Sequence, residues 1–453
     1  MNGDRITGAS GGNPAGGAAD PKAALAGRLL AGRAAAPRRP VARPLRRLRD
    51  HLGIAEITTL LDLARENGLD GGGYFVPQRK AGNGRAEVLG SQIMVNFSSY
   101  DYLGLGDLPE LREAAREAVA TYGASLSATR SVGGDIDLYH TLEAEIADIY
   151  GTEDAVLFVS GYLTNVAFLA YAVGPEDLVI HDELSHNSMI AGARLSGARR
   201  LAFRHNDPEH LDAMLARHRR SGSICLVMIE GVYSMDGDIA RLPEILEVAR
   251  RHECDIYIDE AHSFGVLGRS GRGVLEHFGV APDPDIVLMN TVSKALASVG
   301  GYVTGERGLL RAVRYLAPGA VLYCAPMPAS QAAATLASLR VLRARPDLPA
   351  RARSNAELFA RELNRLGIDT GLSHGTAVVP AMTGSSVAAV RLSSMLRENG
   401  IIAYGLFHPV VPENLARVRF FVSAAHLEED LLRTAEITAK CAAEAGVTLR
   451  PRP

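Results

Sequence analysis

A lysine that could act as a nucleophile stands in the run Met289-Asn290-Thr291-Val292-Ser293-Lys294-Ala295-Leu296, where an apolar stretch gives way to hydroxyls and small residues. Gly300 and Gly301 follow closely. Burial disfavours the charged form of an amine, so a lysine so placed can form a Schiff base; taken singly it reads as well as a surface side chain. Upstream, Ile256-Tyr257-Ile258-Asp259-Glu260-Ala261-His262 sets an acid at the end of an apolar run and a histidine three residues on. Both could face one crevice, although an Asp in that place is also an ordinary helix cap. Phe158-Val159-Ser160-Gly161-Tyr162-Leu163-Thr164-Asn165 joins an apolar run to a helical pattern through Ser and Gly. Free N–H groups at such a helix start can hold a phosphate, and close helix packing explains the glycine equally well. Asp182-Glu183-Leu184-Ser185-His186-Asn187-Ser188 supplies His186, whose flat ring could cover an aromatic cofactor or serve structure alone. Together these segments ask for a ligand with an aldehyde, a basic ring nitrogen and a phosphate, which describes pyridoxal 5'-phosphate.

The elements that must position these residues are legible as apolar runs at Ala155 to Val159, Leu178 to His181, Ile224 to Glu230, Ile256 to Asp259 and Ile286 to Asn290. Bounded by Gly, Asp and Pro and separated by amphipathic helices such as Leu242 to His252, they predict an α/β core with a mainly parallel sheet covered on both faces. Ligands of such sheets bind beyond the carboxyl ends of the strands, where the residues above stand. After about Arg345 a helix rich in Ala and Arg precedes shorter strands around Thr376 to Met382, Ile401 to Leu406 and Val418 to Val422, with another helix from Leu427. This predicts a smaller α+β domain. The expected division is an Ala/Gly/Arg/Pro-rich arm at 1–45, an N-terminal segment at 46–105, a large cofactor-binding domain at 106–345 and a small C-terminal domain at 346–453.

Of 453 residues 47% are hydrophobic, 22% are charged, and 48 basic against 51 acidic side chains leave a net charge of -3, which argues against a disordered chain or a dedicated nucleic-acid binder. Cys225, Cys254, Cys324 and Cys441 show no metal-ligand spacing or disulfide framework. With neither a signal core nor a membrane-spanning run, the expected location is the cytoplasm. The arm is expected to be unstructured, because it has few large apolar residues. Between Pro21 and Arg49 it is basic with no acid, a solvated tail or a dock for an acidic partner.

The order and wording of these motifs resemble the α-oxoamine synthases, a branch of the fold-type-I pyridoxal-phosphate enzymes. The resemblance runs from about Val95 to His426. It is carried by Asn96-Phe97-Ser98-Ser99-Tyr100-Asp101-Tyr102-Leu103-Gly104-Leu105, by Glu230-Gly231-Val232-Tyr233-Ser234-Met235-Asp236-Gly237-Asp238, by Asp259 to Gly268 and by Thr291 to Lys294. It implies a large domain built on a seven-stranded, mainly parallel sheet, a smaller α+β domain, and a homodimer whose active sites are shared. It implies that Lys294 carries the cofactor and moves the Cα proton, that Asp259 pairs with the pyridine nitrogen, and that His262 hydrogen-bonds the phenolic oxygen. By the same resemblance His186 stacks on the ring, and Gly161 and Tyr162 give backbone donors to the phosphate with help from Thr291. Ser234 would sit beside the ring oxygen and substrate, and Arg419 would grip the amino-acid carboxylate with its bidentate fork. The implied reaction is a decarboxylative condensation of an α-amino acid with an acyl thioester, on coenzyme A or an acyl carrier protein, giving an α-amino ketone.

The chain departs from the family pattern in places. Tyr100 stands where many members, particularly those using glycine, have Asn, which opens the pocket to serine, alanine or another amino acid. Cys324-Ala325 replaces a Ser-Thr pair before Met327-Pro328, removing a hydroxyl contact to the phosphate of the partner subunit. The Ala124 to Asp135 segment lacks the wording of aminolevulinate synthases, which lowers succinyl thioester as donor. The phrasing is closest to synthases of polyketide and related natural-product pathways, for which the basic arm is a candidate dock for an acidic carrier protein. Two other readings stay open: an aminotransferase or aldolase of the same fold, and a regulator of this fold that binds nucleic acid through its arm, against which the arm shows no helix-turn-helix pattern.

Overall fold

The computed structural model describes residues 76–88 and 92–450, with scattered positions between 47 and 62. The expected arm at 1–45 lies outside the described residues. By its contacts the chain divides into Met1–Asn67 and Gly68–Pro453, and the sheets and helices described here belong to the second.

Strands β1 (Gln78–Lys80), β2 (Arg85–Val88) and β3 (Ile93–Asn96) precede a seven-stranded sheet made of β4 (Asp154–Phe158), β5 (Leu178–Asp182), β6 (Arg199–Phe203), β7 (Cys225–Glu230), β8 (Asp255–Asp259), β9 (Ile286–Thr291) and β10 (Gly301–Gly305). Its order is β4-β10-β9-β8-β7-β5-β6. The pairs from β6 through β5, β7 and β8 to β9 are parallel, and β10 runs antiparallel to both β4 and β9. All five apolar runs read from the sequence are strands of this sheet. The two strands not anticipated have physical reasons for being hard to read: β6 is an edge strand carrying Arg199 and Arg200, and β10 opens and closes on glycine.

Neighbouring residues of one strand feed different cores. Ile256 and Ile258 face one apolar cluster with Val227, Ile229, Ile286 and Leu288, while Tyr257 faces another with Leu226, Met228, Val287 and Met289. A sheet covered on both faces needs apolar side chains at every position, which is why these strands read as continuous hydrophobic runs.

Strands β11 (Val378–Met382), β12 (Ile401–Ile402), β13 (Tyr404–Leu406) and β14 (Arg417–Phe421) follow. Three of them form an antiparallel sheet in the order β11-β14-β13, and β12 pairs in parallel with β3. The single run expected from Ile401 to Leu406 is thus divided at Ala403 between two sheets. Helices Asp347–Arg365, Ser386–Glu398 and Glu428–Glu444 cover the small sheet, and Phe359, Leu363, Phe420 and Leu431 fill the core between them with Phe97.

Phe97 belongs to the segment that ties the small sheet to the site. Its carbonyl accepts from Phe421 N–H at 2.8 Å, the carbonyl of Tyr102 accepts from Ala424 N–H at 2.8 Å, and that of Asp101 accepts from Ser423 Oγ at 2.6 Å. Gly104 permits this approach: its φ is 70°, and a Cβ there would lie 2.6 Å from that of Ala425. Tyr100 and Tyr102 are thereby delivered beside β14 and the large sheet together.

Candidate active site

The site is built where β7, β8 and β9 end. Asp259 is the last residue of β8 and is buried; its Oδ2 accepts from Asn165 Nδ2 at 2.9 Å and its Oδ1 from Ala261 N–H at 2.9 Å. These donors satisfy a carboxylate, and no α-helix starts at this Asp, so the helix-cap reading does not hold. Asn165 lies one turn into the helix Gly161–Ala172 and is itself anchored, accepting from Tyr257 OH at 2.8 Å and donating to Ser188 Oγ at 2.9 Å. Ser188 Oγ in turn stands 2.6 Å from Nδ1 of His186, so one hydrogen-bonded chain fixes both Asp259 and the His186 ring. Burial lowers the pKa of His186, favouring a neutral ring.

Lys294 lies in the turn after β9. Its Nζ is 2.9 Å from Nε2 of His262 and 5.7 Å from the centre of the Tyr100 ring. Burial brings this amine down to about 8 against the pull of Asp259 and Glu230, with Arg419 acting in the same sense as burial. His262 is buried, and burial followed by the charges of Lys294 and Arg419 holds its pKa well below the ordinary value. Glu230 ends β7 directly beside Asp259 in the strand register. Burial first and Asp259 second push it up to about 8; its Oε2 accepts from Ser234 N–H at 3.2 Å, and its buried Oε1 has no hydrogen-bond partner among the described residues. Two carboxyl groups abreast cannot both ionise cheaply, which is why Asp259 adds to burial in raising Glu230.

Ser160 caps the helix Gly161–Ala172, its Oγ accepting from Leu163 N–H at 3.2 Å and its carbonyl from Thr164 N–H at 2.9 Å. The N–H groups of Gly161 and Tyr162 head that first turn, where no carbonyl of the helix can reach them. Gly161 is needed for contact with Thr291, since a Cβ would fall 2.6 Å from Thr291 Oγ1. The Tyr162 side chain is half exposed, its hydroxyl donating to Asn187 Oδ1 at 2.9 Å and its ring 6.4 Å from that of His186.

Arg419 projects from β14. Its Nη1 donates to the carbonyl of Ser234 at 2.7 Å, its guanidinium lies 4.4 Å from the Phe421 ring centre, and its buried Nε has no hydrogen-bond partner among the described residues. Two residues away, Arg417 is used up by Asp236 Oδ1 at 2.5 Å and the carbonyl of Met235 at 3.0 Å. Tyr100 packs on Phe421 with ring centres 4.5 Å apart, closing one wall beside Lys294.

All ten residues singled out from the sequence therefore lie in one set of neighbouring contacts beyond these strand ends. The residues that sequence reading passed over are Asn165, Glu230 and Tyr102, which hydrogen-bond to Asp259, Ser234 and His262. Asn165 had a readable signal, a polar residue one turn after the glycine of a helix otherwise apolar on that side.

The set fits pyridoxal phosphate: a buried acid, a half-buried amine, and a helix start whose first N–H groups have no partner among the described residues, beside a threonine hydroxyl. Comparisons agree. The family model of aminotransferase class I and II matches residues 92–437. The 8-amino-7-oxononanoate synthase of Symbiobacterium thermophilum is 38% identical over 84% of this chain and 97% of its own length, and that of Methylobacterium nodulans is 40% identical over 83% and 96%. Among solved structures, the serine palmitoyltransferase of Sphingomonas wittichii superposes with a TM-score of 0.82 at 28% identity, covering 88% of this chain and 99% of that one. A structure of the S. paucimobilis serine palmitoyltransferase holding a PLP-myriocin aldimine gives 0.83 at 28% identity, over 88% and 100%. The chain belongs to the aminotransferase class I and II family, whose fold is the fold-type-I pyridoxal-phosphate transferase. Within it, the chain is an α-oxoamine synthase, a pyridoxal-phosphate-dependent acyltransferase.

Proposed function

We propose that this synthase condenses an α-amino acid with an acyl thioester, releasing carbon dioxide and a thiol and forming an α-amino ketone. The observation that carries the reading is a half-buried amine, Nζ of Lys294, beside His262 and near an arginine, Arg419, whose Nε has no hydrogen-bond partner among the described residues. Bound pyridoxal phosphate supplies an aldehyde for the amino group and a ring that takes up carbanion charge. Asp259, fixed by Asn165 and Ala261, holds the proton on the ring nitrogen. His186 would cover the ring, His262 would donate to its phenolic oxygen, and Ser234 would border that oxygen and the substrate. Gly161 and Tyr162 N–H with the Thr291 hydroxyl hold the phosphate. Arg419 binds the amino-acid carboxylate, and Tyr100 limits the space beside Cα. Nζ of Lys294 takes the Cα proton; a C–C bond then forms to the thioester carbonyl as the thiol leaves. The bond to the carboxylate breaks as carbon dioxide departs, and a proton returns to the same carbon.

Incubation with single amino acids and acyl thioesters, on coenzyme A and on acyl carrier protein, tests this by mass spectrometry. Carbon dioxide together with an α-amino ketone supports the condensation; a 2-oxo acid formed from the amino acid refutes it in favour of transamination. A link to natural-product biosynthesis and a carrier-protein donor belong to the same proposal, and comparison of the two thioesters tests them.

Arg419→Lys keeps the charge and loses the planar fork. The expected result is a KM for the amino acid raised by roughly ten- to a hundredfold with little change in KM for the thioester, because hydrogen bonds to a charged partner contribute about 1.5–3 kcal/mol. Steady-state kinetics in both substrates measures it; equal rises in both would remove Arg419 from the carboxylate site.

The proposed working form is a homodimer with shared sites, supported by the exposure of Tyr315, Leu316 and Tyr323. Sedimentation tests it. The proposed domains are 106–345 and 346–453, following the two sheets. No helix among the described residues is long and apolar enough to cross a membrane, and the four cysteines are free. A reducing cytoplasm is the proposed location.

A further inference from the structure

Tyr102 has no part in the roles above, yet it is completely buried and stands one step from the amine. Its hydroxyl lies 2.6 Å from Nδ1 of His262, whose Nε2 lies 2.9 Å from Nζ of Lys294. Geometry and hydrogen-bond accounting decide where the protons of this row reside. The phenol keeps its proton, since burial raises its pKa far above the ordinary value. Among the described residues, Nδ1 of His262 is the hydrogen-bond partner of that hydroxyl. If Nδ1 carried the imidazole proton and donated it to the phenol oxygen, the Tyr102 O–H would be a buried donor without an acceptor, which folded proteins avoid. If Nδ1 accepts, the row closes without that defect: Tyr102 O–H donates to Nδ1, and Nε2–H donates to the lone pair of Nζ.

We infer that Tyr102 is a positioning residue that fixes His262 in the Nε2–H tautomer and, through it, favours the free amine of Lys294 over the ammonium. An ammonium has no lone pair to receive Nε2–H, so this tautomer opposes protonation of Lys294. The other groups facing the amine divide: Asp259 and Glu230 favour the ammonium, Arg419 opposes it, and Tyr100 presents the face of its ring. His262 is further faced by Arg419 and His186, and Tyr102 by Arg419 and Tyr100. The same tautomer presents an N–H donor, as His262 needs in order to bond a phenolic oxygen. The inference deepens the proposed role of Lys294 and rests on that reading.

The test uses the full-length protein without added cofactor and does not depend on turnover. With histidines labelled with 15N, and His262→Asn to identify the signal, the expected spectrum shows Nδ1 of His262 unprotonated and Nε2 protonated. The reverse pattern overturns the inference whether or not any Tyr102 variant folds. In Tyr102→Phe both tautomers leave Nδ1 without a partner, so His262 becomes free to accept from the ammonium. The pH midpoint for acylation of Lys294 by acetic anhydride, read by peptide mass spectrometry, should then rise by about one pH unit, slowing labelling roughly tenfold at neutral pH. An unmoved midpoint in a folded Tyr102→Phe protein also overturns it, as does an equal rise when the substitution is made on His262→Asn. Failure of the condensation assay alone would leave these readouts untouched, so the two failures can be told apart.

Discussion

Lys294→Ala is expected to abolish product formation below detection while leaving the fold intact. The substitution removes the group that receives the Cα proton and the amine that engages the cofactor aldehyde. Alanine fits the space, because the turn after β9 is held by its own backbone: Val292 N–H donates to the carbonyl of Gly300 at 3.1 Å and Ser298 N–H to that of Val292 at 3.0 Å. Borohydride treatment of the parent protein should fix the mass of the cofactor on the peptide carrying Lys294, and the variant should show no such label. Residual turnover within tenfold of the parent would mean that another base serves, with His262 the nearest candidate at 2.9 Å.

Asp259→Asn comes next in expected size. The amide cannot hold a proton on the ring nitrogen, and it places a donor where Asn165 Nδ2 and Ala261 N–H both already donate. At least one of those donors is left facing another donor, at about 1–3 kcal/mol. Loss of a preorganised charge at a reacting centre commonly lowers kcat by on the order of 10²–10³, so the two effects together predict weak cofactor binding and turnover reduced by at least that factor. Absorbance titration with pyridoxal phosphate measures the first and product formation the second. Near-normal kcat in the cofactor-saturated variant would sink the role of Asp259.

The physical reason that so much was legible lies in how each signal is written. Strands β4, β5, β7, β8 and β9 read clearly because both faces of the sheet are buried, which demands an apolar residue at every position and a polar one as soon as the strand ends. Asp259 and Lys294 stand at or just after those ends, so their linear positions already marked the crevice. Asn165 and Tyr102 carry no such mark, and Glu230, which does end β7, was read only as the close of its strand. Glu230 became interesting only because the register sets it beside Asp259, a distance in space between residues far apart in the chain. Tyr102 became interesting only because the segment after β3 is drawn over His262 by backbone bonds to the residues that follow β14.

Arg417 and Arg419 show the same limit. They alternate along one strand with similar neighbours, and their local sequence gives no physical ground for choosing between them; the resemblance to known synthases made the choice. In the folded chain Arg417 spends its donors on Asp236 and Met235, whereas Arg419 keeps its Nε unclaimed. What the amino-acid order determined by itself was the five doubly buried strands of the large sheet, the family and the chemically capable residues, because these depend on local periodicity and residue identity. Only the tertiary structure decided which arginine stays available, which two carboxyl groups lie abreast and which side chains meet the two nitrogens of His262, because each depends on the burial and partners that distant segments supply.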